Sequence, residues 1–541
     1  MAQVIDESRR ATPRGAPQPE GLGRPRTDAH PHGRAGRGMQ YWPESRFYEG
    51  RFGRLFRELD ALVIEPATAR AIARRMVDAP DEPRDGNNPR ITAGYTYLGQ
   101  FIDHDITFDP ASSLQKRNDP DALHNFRTPA FDLDSVYGRG PDDQPYMYDG
   151  TGRFLIGRGQ GRGELDLPRN DPADVVDDPG RDMARRALIG DPRNDENVLV
   201  SQLHLTMLLF HNRVMDHLEG LGGNGPIPEL EVVKTRLAGR GTAERFAAAQ
   251  QIVRWHYQWM VVHDFLRRVV GDETFDAVFE PVERYGRTVR RPRLEHYDPR
   301  YAAFMPVEFA VAAYRFGHSL IRNRYRLNTF VPPEGATLSI FNHDADPASP
   351  ERLSHLGGFR QLPPFWPIEW RFFFDVGDAA PAPPFIQAAR RIDTHLAFEL
   401  SQLPENVATG IAALAERNLL RGVAMGLPSG QDVADAMGIE ALDDDEVGLG
   451  GAPAPLWYYV LREAEVRADG EHLGPVGGRI VAEVFVGLLA NDSSSWLRSK
   501  PYWTPFLPSL TPGDFTMPDL IRFTGYGLTE VTGPGSGGSG G

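Results

Sequence analysis

The chain has 541 residues, 40% of them hydrophobic, and a formal net charge of −15. That is enough apolar mass for a large core, and too acidic a balance for broad nucleic-acid binding. It contains no cysteine, which excludes disulfides, iron–sulfur clusters, thiolate-ligated haem and cysteine nucleophiles together.

Residues 1–44 are rich in Arg, Pro, Gly and His and read as a flexible arm that cannot repay its own ordering entropy. The opening "MAQVIDESRRATPRGAPQPEGLG" has no apolar core, so no secretory signal is visible and a soluble cytoplasmic protein is expected. From there the dominant signal is helical. "ATARAIARRMVDA" has helical apolar spacing, and "DPRNDENVLVSQLHLTMLLFHNRVMDHL" adds an N-cap at Asp191 with Pro192 at the first helical position. "RFAAAQQIVRWHYQWMVVHDFLRRVV", "VEFAVAAYRFGHSLIRN", "IDTHLAFELSQL" and "GGRIVAEVFVGLLA" read the same way. The apolar run from Ile480 is too short to span a bilayer. Residues 531–541 end in "GPGSGGSGG", a flexible Gly/Ser tail. The expectation is a mainly α protein, one large helical domain over 45–530 with little β structure and long loops.

Five stretches carry candidate chemistry. In "GQFIDHD", Gln100 and His104 share a helix face, with Asp103 and Asp105 about 100° to either side. Buried charge of this density needs a metal, a partner or a bond; a capped helix end with a solvated acidic pair is the plain alternative. In "RTPAFDLDSVYG", Thr128, Ala130, Asp132 and Asp134 alternate as hydroxyl, carbonyl and carboxylate donors. That set, with Asp105 added, suits a hard cation such as Ca²⁺, while as an isolated pattern a loop with an Asx-turn is the commoner outcome. Arg193 and Glu196 lie three apart in "GDPRNDENVL", as an ordinary ion pair does. Arg315 and His318 flank Gly317, which leaves room for something flat. Asn418 and Arg421 lie three apart ahead of a Gly-Leu-Pro turn.

In their order and identities these blocks resemble the animal-type haem peroxidases of the peroxidase–cyclooxygenase superfamily, in what looks like a bacterial branch. The family's G-Q-x-x-D-H-D falls on Gly99–Asp105, its calcium loop ending V-Y-G on Thr128–Gly138, R-x-x-E on Arg193–Glu196, R-x-G-H on Arg315–His318, and N-x-x-R with G-L-P on Asn418–Pro428.

The resemblance implies haem b with His318 as the iron ligand and Asn418 accepting the imidazole's other N–H. It implies His104 as the acid–base group for hydrogen peroxide, Arg193 as stabiliser of the developing charge, and Gln100 ordering water or a halide. Arg315 and Arg421 would meet the haem propionates. Asp103 and Glu196 occupy the positions that can form esters with haem methyl groups. Asp105, Thr128, Ala130, Asp132 and Asp134 would hold Ca²⁺. Asn197 stands where some members carry a methionine, which removes a sulfonium link. Asp134 replaces a common serine and favours a divalent cation.

The activity implied is reduction of hydrogen peroxide through a ferryl intermediate, with oxidation of small organic donors or halide ions. A fatty-acid dioxygenase on the same scaffold is the alternative; its tyrosine belongs three residues before the proximal histidine, where Arg315 stands, while Tyr314 is four before. A non-catalytic haem scaffold has no use for His104, Arg193 and Gln100. A zinc site on His204 and His211 lacks a third ligand at a compelling spacing. No nucleic-acid partner and no membrane span are expected, and the oligomeric state is open.

Overall fold

The computed structural model describes residues 50–532, apart from 79–85, 109–123, 171–185, 223–224, 285, 300–301, 332–335, 342–354, 405–407 and 409. The N-terminal arm and nearly all of the Gly/Ser tail therefore lie outside the described residues. Helix makes up 45% and strand 11%, and each sheet has only two or three strands, so the architecture is mainly α. Among the described residues, no helix is long and apolar enough to cross a membrane.

Six helices position the site. The first, α1 (Ala93–Ile106), starts beside Phe373 and Phe374, where a side chain at Gly94 would collide with the Phe374 ring. Its neighbour α2 (Val198–Glu219) is almost wholly buried and packs between α1 and α3 (Thr242–Met260). Further along come α4 (Leu414–Ala424), α5 (Leu456–Ala468) and α6 (Pro475–Asn491). Phe485 of α6 meets Phe131, Phe265, Phe309 and Tyr314 with ring centroids 5.0 to 6.2 Å apart, joining the helices around the cavity described below.

Three expected helices take other forms. The segment from Asp191 is two pieces, a 3₁₀ turn at Pro192–Asp195 and then α2, because two caps follow one another. Asp191 accepts from Arg193 N, and Asn197 accepts from Val200 N at 2.9 Å. Arg193 and Glu196 therefore belong to the 3₁₀ turn and its C-cap, ahead of α2, and not to one α-helix. The segment around His318 is a π turn (Glu308–Ala312) running into a 3₁₀ turn (Ala313–His318), geometry that is uncommon outside functional sites. "IDTHLAFELSQL" is bends and irregular backbone, with one bridge at Leu396, until a 3₁₀ turn at Phe398–Ser401. There Asp393 accepts from His395 N at 2.9 Å, a local bond that competes with the helix ladder, and Leu396 pairs with the backbone of Met76 and Asp78. The longest hairpin among the described residues, Phe279–Arg284 with Arg287–Pro292, has no clear strand alternation in sequence because Pro281 and Pro292 interrupt it.

Candidate active site

The polar groups of α1 line a cavity of about 300 Å³ that Glu196, Arg315 and His318 also border. Gln100, Asp103 and His104 reach it from one element, Glu196 from the turn before α2, and Arg315, Gly317 and His318 from the 3₁₀ turn. Leu320, Ile321, Leu400, Leu403 and Leu414 add apolar wall. A Cβ built on Gly317 meets nothing within 4 Å, so the space beside His318 is open.

His104 is buried, and its Nδ1 lies 2.8 Å from Asn194 Oδ1. An amide oxygen only accepts, so Nδ1 carries the proton and Nε2 keeps its lone pair. Nε2 lies 3.8 Å from a Glu196 oxygen. Burial, followed by the charge of Arg193, pushes the His104 imidazolium down to about 3, so the ring is neutral and able to accept a proton. Glu196 receives a hydrogen bond from Gln100, whose own oxygen accepts from Asn197 Nδ2 at 3.2 Å. Burial, opposed by the charge of Arg193, raises Glu196 to about 7. Asp103 is raised by burial against the charges of Arg193 and Arg315, and it accepts from Thr107 Oγ1 at 2.9 Å.

Arg193 stands apart from the cavity wall. Its Nη2 donates to Asp191 at 2.8 Å and to the carbonyls of Thr107 and His104 at 2.6 and 3.0 Å, and its guanidinium lies over the Phe108 ring. Burial opposes ionisation of Asp191, but the bonds and charges of Arg193 and Arg127 outweigh it and hold that carboxyl below the usual range. The positive charge therefore acts on the cavity from behind His104.

His318 is neutral as well, pushed down to about 3 by burial and then by Arg315. Its contact with Asn418 runs opposite to the expected direction. Arg315 Nη1 donates to Asn418 Oδ1 at 3.0 Å, which takes the amide acceptor and turns Nδ2 to His318 Nδ1 at 2.8 Å. For Nε2 to ligate iron, Nδ1 must carry the proton. For Asn418 to accept that N–H, Arg315 would have to release Oδ1 and the amide would have to turn over. Arg421 lies one turn further on α4 and is not among the residues lining the cavity. Tyr314 does line it, with its hydroxyl donating to Gly99 O at 3.1 Å.

Next to His104, Asp105 points the other way. Carboxylate oxygens of Asp105, Asp132 and Asp134 lie within 4.8 Å of one another. Ser135 Oγ and Leu133 N donate to Asp105 at 3.2 Å each, and Thr128 Oγ1 donates to Asp132 at 2.9 Å. One buried oxygen each of Asp132 and Asp134 has no hydrogen-bond partner. Burial, then repulsion from Asp134, pushes Asp132 up to about 7; burial, then repulsion from Asp132 and Asp134, raises Asp105; and burial raises Asp134 against the charge of Arg127, whose Nη1 lies 3.5 Å away. Three hard oxygen donors with spare lone pairs fit a divalent cation, and the carbonyl of Ala130 and hydroxyl of Thr128 lie in the same loop. His204 and His211 do not form a zinc site: His204 Nδ1 faces Asn194, and His211 bonds Tyr137 and Gly152.

Residues 112–362 match the family model for animal haem peroxidase, a region that contains the Thr128–Asp134 loop, Arg193–Glu196 and Arg315–His318. Chorion peroxidase of Aedes aegypti is 22% identical over 338 residues, 61% of this chain and 37% of that protein. The chain spans about a third of the length of the curated relatives it matches. Among solved structures, peroxidase A from Dictyostelium discoideum superposes with a TM-score of 0.58 at 15% identity, covering 95% of this chain and 98% of that one. Fatty acid alpha-dioxygenase of Oryza sativa gives 0.50 at 14% identity, over 84% and 75%. Both likenesses concern the fold.

Proposed function

We propose that this chain, which carries an animal haem peroxidase domain, is a haem-dependent peroxidase that reduces hydrogen peroxide at the expense of a small organic donor or a halide ion. The observation that carries the reading is His104, a neutral imidazole whose Nδ1 is tied to Asn194 and whose Nε2 faces the cavity that His318 also lines. Haem, when bound, supplies the redox chemistry of O–O cleavage.

The protein's own residues supply binding and proton handling. His318 would hold the iron, and Arg315 would meet a propionate. Nε2 of His104 takes the proton from one peroxide oxygen and returns it to the other as that oxygen leaves as water. Arg193, fixed behind His104, stabilises negative charge that develops in the cavity. Gln100, oriented between Glu196 and Asn197, positions water or a halide. Asp103 and Glu196, both on the cavity wall, would hold haem through esters to its methyl groups, each methyl C–H giving way to C–O with hydrogen peroxide as the two-electron oxidant, reduced to water. Ca²⁺ bound by Asp105, Asp132 and Asp134, with Thr128 and Ala130, anchors the residue next to His104.

An absorption spectrum of the purified protein before and after acidified-butanone extraction, and then with hydrogen peroxide, tests this. Haem that resists extraction and responds to peroxide is the expected result; extractable haem with the same response withdraws only the esters. Tyr314 on the cavity wall favours one alternative, a fatty-acid dioxygenase. Haem that ignores peroxide while the protein consumes oxygen with an unsaturated fatty acid would select it.

A further inference from the structure

Behind His104 lies a buried histidine that this chemistry leaves unused. Asn194 sits between the two rings: its Oδ1 is 2.8 Å from His104 Nδ1, and its Nδ2 is 3.0 Å from His204 Nδ1. All three side chains are buried, Asn194 and His204 with 0% exposure and His104 with 5%. We propose that Asn194 is a positioning residue that sets the tautomers of His104 and His204 together, so that His104 always presents an unprotonated Nε2 to the cavity. This rests on the reading of His104 as the proton acceptor.

The argument is one of donor and acceptor counting. A neutral imidazole has one N–H and one lone pair, and a primary amide has one end that accepts and one that donates. With Oδ1 on His104 and Nδ2 on His204, His104 is protonated at Nδ1 and His204 at Nε2. Turning the amide over would reverse both tautomers at once and point an N–H of His104 at the cavity, so neither ring can change alone.

The amide is also held in place. Asn194 N donates to Asp191 O at 3.1 Å within the 3₁₀ turn. The residues on either side are clamped, Arg193 by Asp191 and Asp195 by two bonds from Arg169 at 2.7 and 2.8 Å. His204 is fixed on α2 and packs edge-to-face with Phe101, one turn before His104 on α1. Its Nε2 has no hydrogen-bond partner. A histidine kept only for packing would be better replaced by an apolar side chain, because an orphaned buried polar atom costs stability. A lone pair on Nδ1 that orients Asn194 gives it a reason to be there.

Nitrogen-15 NMR of histidine-labelled full-length protein, held diamagnetic as the ferrous carbonyl complex, reads both tautomers directly. The expected pattern is Nδ1–H on His104 and Nε2–H on His204. Asn194→Asp keeps an acceptor for His104 but cannot donate to His204, so only His204 should change tautomer. Asn194→Ala removes both constraints. Cyanide association with the ferric protein supplies a second readout, since hydrogen cyanide passes its proton to Nε2 as it binds. Asn194→Ala should slow it about tenfold, the value of one lost hydrogen bond, and Asn194→Asp should recover it to within about threefold. A proton on His104 Nε2 in the unmodified protein overturns the proposal, as does an Asn194→Ala variant with unchanged tautomers and cyanide rate. If the tautomers are as expected but peroxide leaves the haem spectrum untouched, the coupling stands and the peroxidase reading falls.

Discussion

His104 and Asp105 are consecutive residues of one buried helix turn, and they solve the cost of burial in opposite ways. On the His104 side the protein supplies its own partners: Asn194 links His104 to His204, and Gln100 links Glu196 to Asn197, leaving only His204 Nε2 of the two neutral rings without a hydrogen-bond partner away from the cavity. On the Asp105 side three carboxylates face each other, with buried oxygens of Asp132 and Asp134 lacking hydrogen-bond partners. The first arrangement is preorganised for proton transfer, and the second is left to an ion. One helix turn therefore carries a neutral, hydrogen-bonded imidazole beside a carboxylate cluster that a bound cation would complete.

The comparison breaks first at its reactive half. His104→Leu should cut peroxide turnover by about 10²–10⁴-fold, the contribution of a positioned acid–base group, while the dependence of unfolding on calcium stays as it was. Loss of both together would mean that the two halves are one unit.

The ion-dependent half gives the next effect. Calcium at 100 times its dissociation constant should stabilise the fold by about 2.7 kcal/mol, read as a rise in melting temperature that a chelator reverses. Asp132→Asn should abolish that rise. A melting temperature indifferent to calcium and chelator in the parent protein would remove the cation from the account.

The smallest effect sharpens the contrast by testing burial without either function. His256 is buried; its Nδ1 is 2.7 Å from Ile252 O, and its Nε2 accepts from Phe506 N and Leu507 N at 3.3 Å. Burial pushes its imidazolium down to about 3. The unfolded chain takes up that proton below about pH 6.5, and the folded chain does not until far lower. The stability it contributes is thus complete above pH 6.5 and lost as pH falls toward 3, by at most about 1.4 kcal/mol per pH unit. Urea titrations between pH 7 and 5 should show a shallower decline in His256→Gln than in the parent; equal slopes would contradict it.

Much of both halves was legible in the sequence because their residues are local. Gln100, Asp103 and His104 do share a cavity wall, and Asp132 and Asp134 do meet Asp105, since spacing along α1 and along one short loop fixes both. What failed depended on partners far away in sequence. Nothing near Arg193 announces that the carbonyls of His104 and Thr107 will take its guanidinium, and nothing near Asn418 announces Arg315. "IDTHLAFELSQL" has helical spacing but is drawn into a bridge at Leu396 by the Met76–Asp78 backbone. Asn194 lies within "GDPRNDENVL", and spacing alone marks His204 only as a candidate metal ligand. The available signal is an amide inside R-x-x-E and a histidine ten residues later within the apolar helix that follows.

The most direct test is rapid mixing of the haem-loaded protein with an equimolar amount of hydrogen peroxide while the Soret band is followed. A fast peroxide-dependent change that reverses on adding a phenol or halide donor is the predicted result. A protein that takes up no haem, or whose Soret band ignores peroxide, would contradict the account.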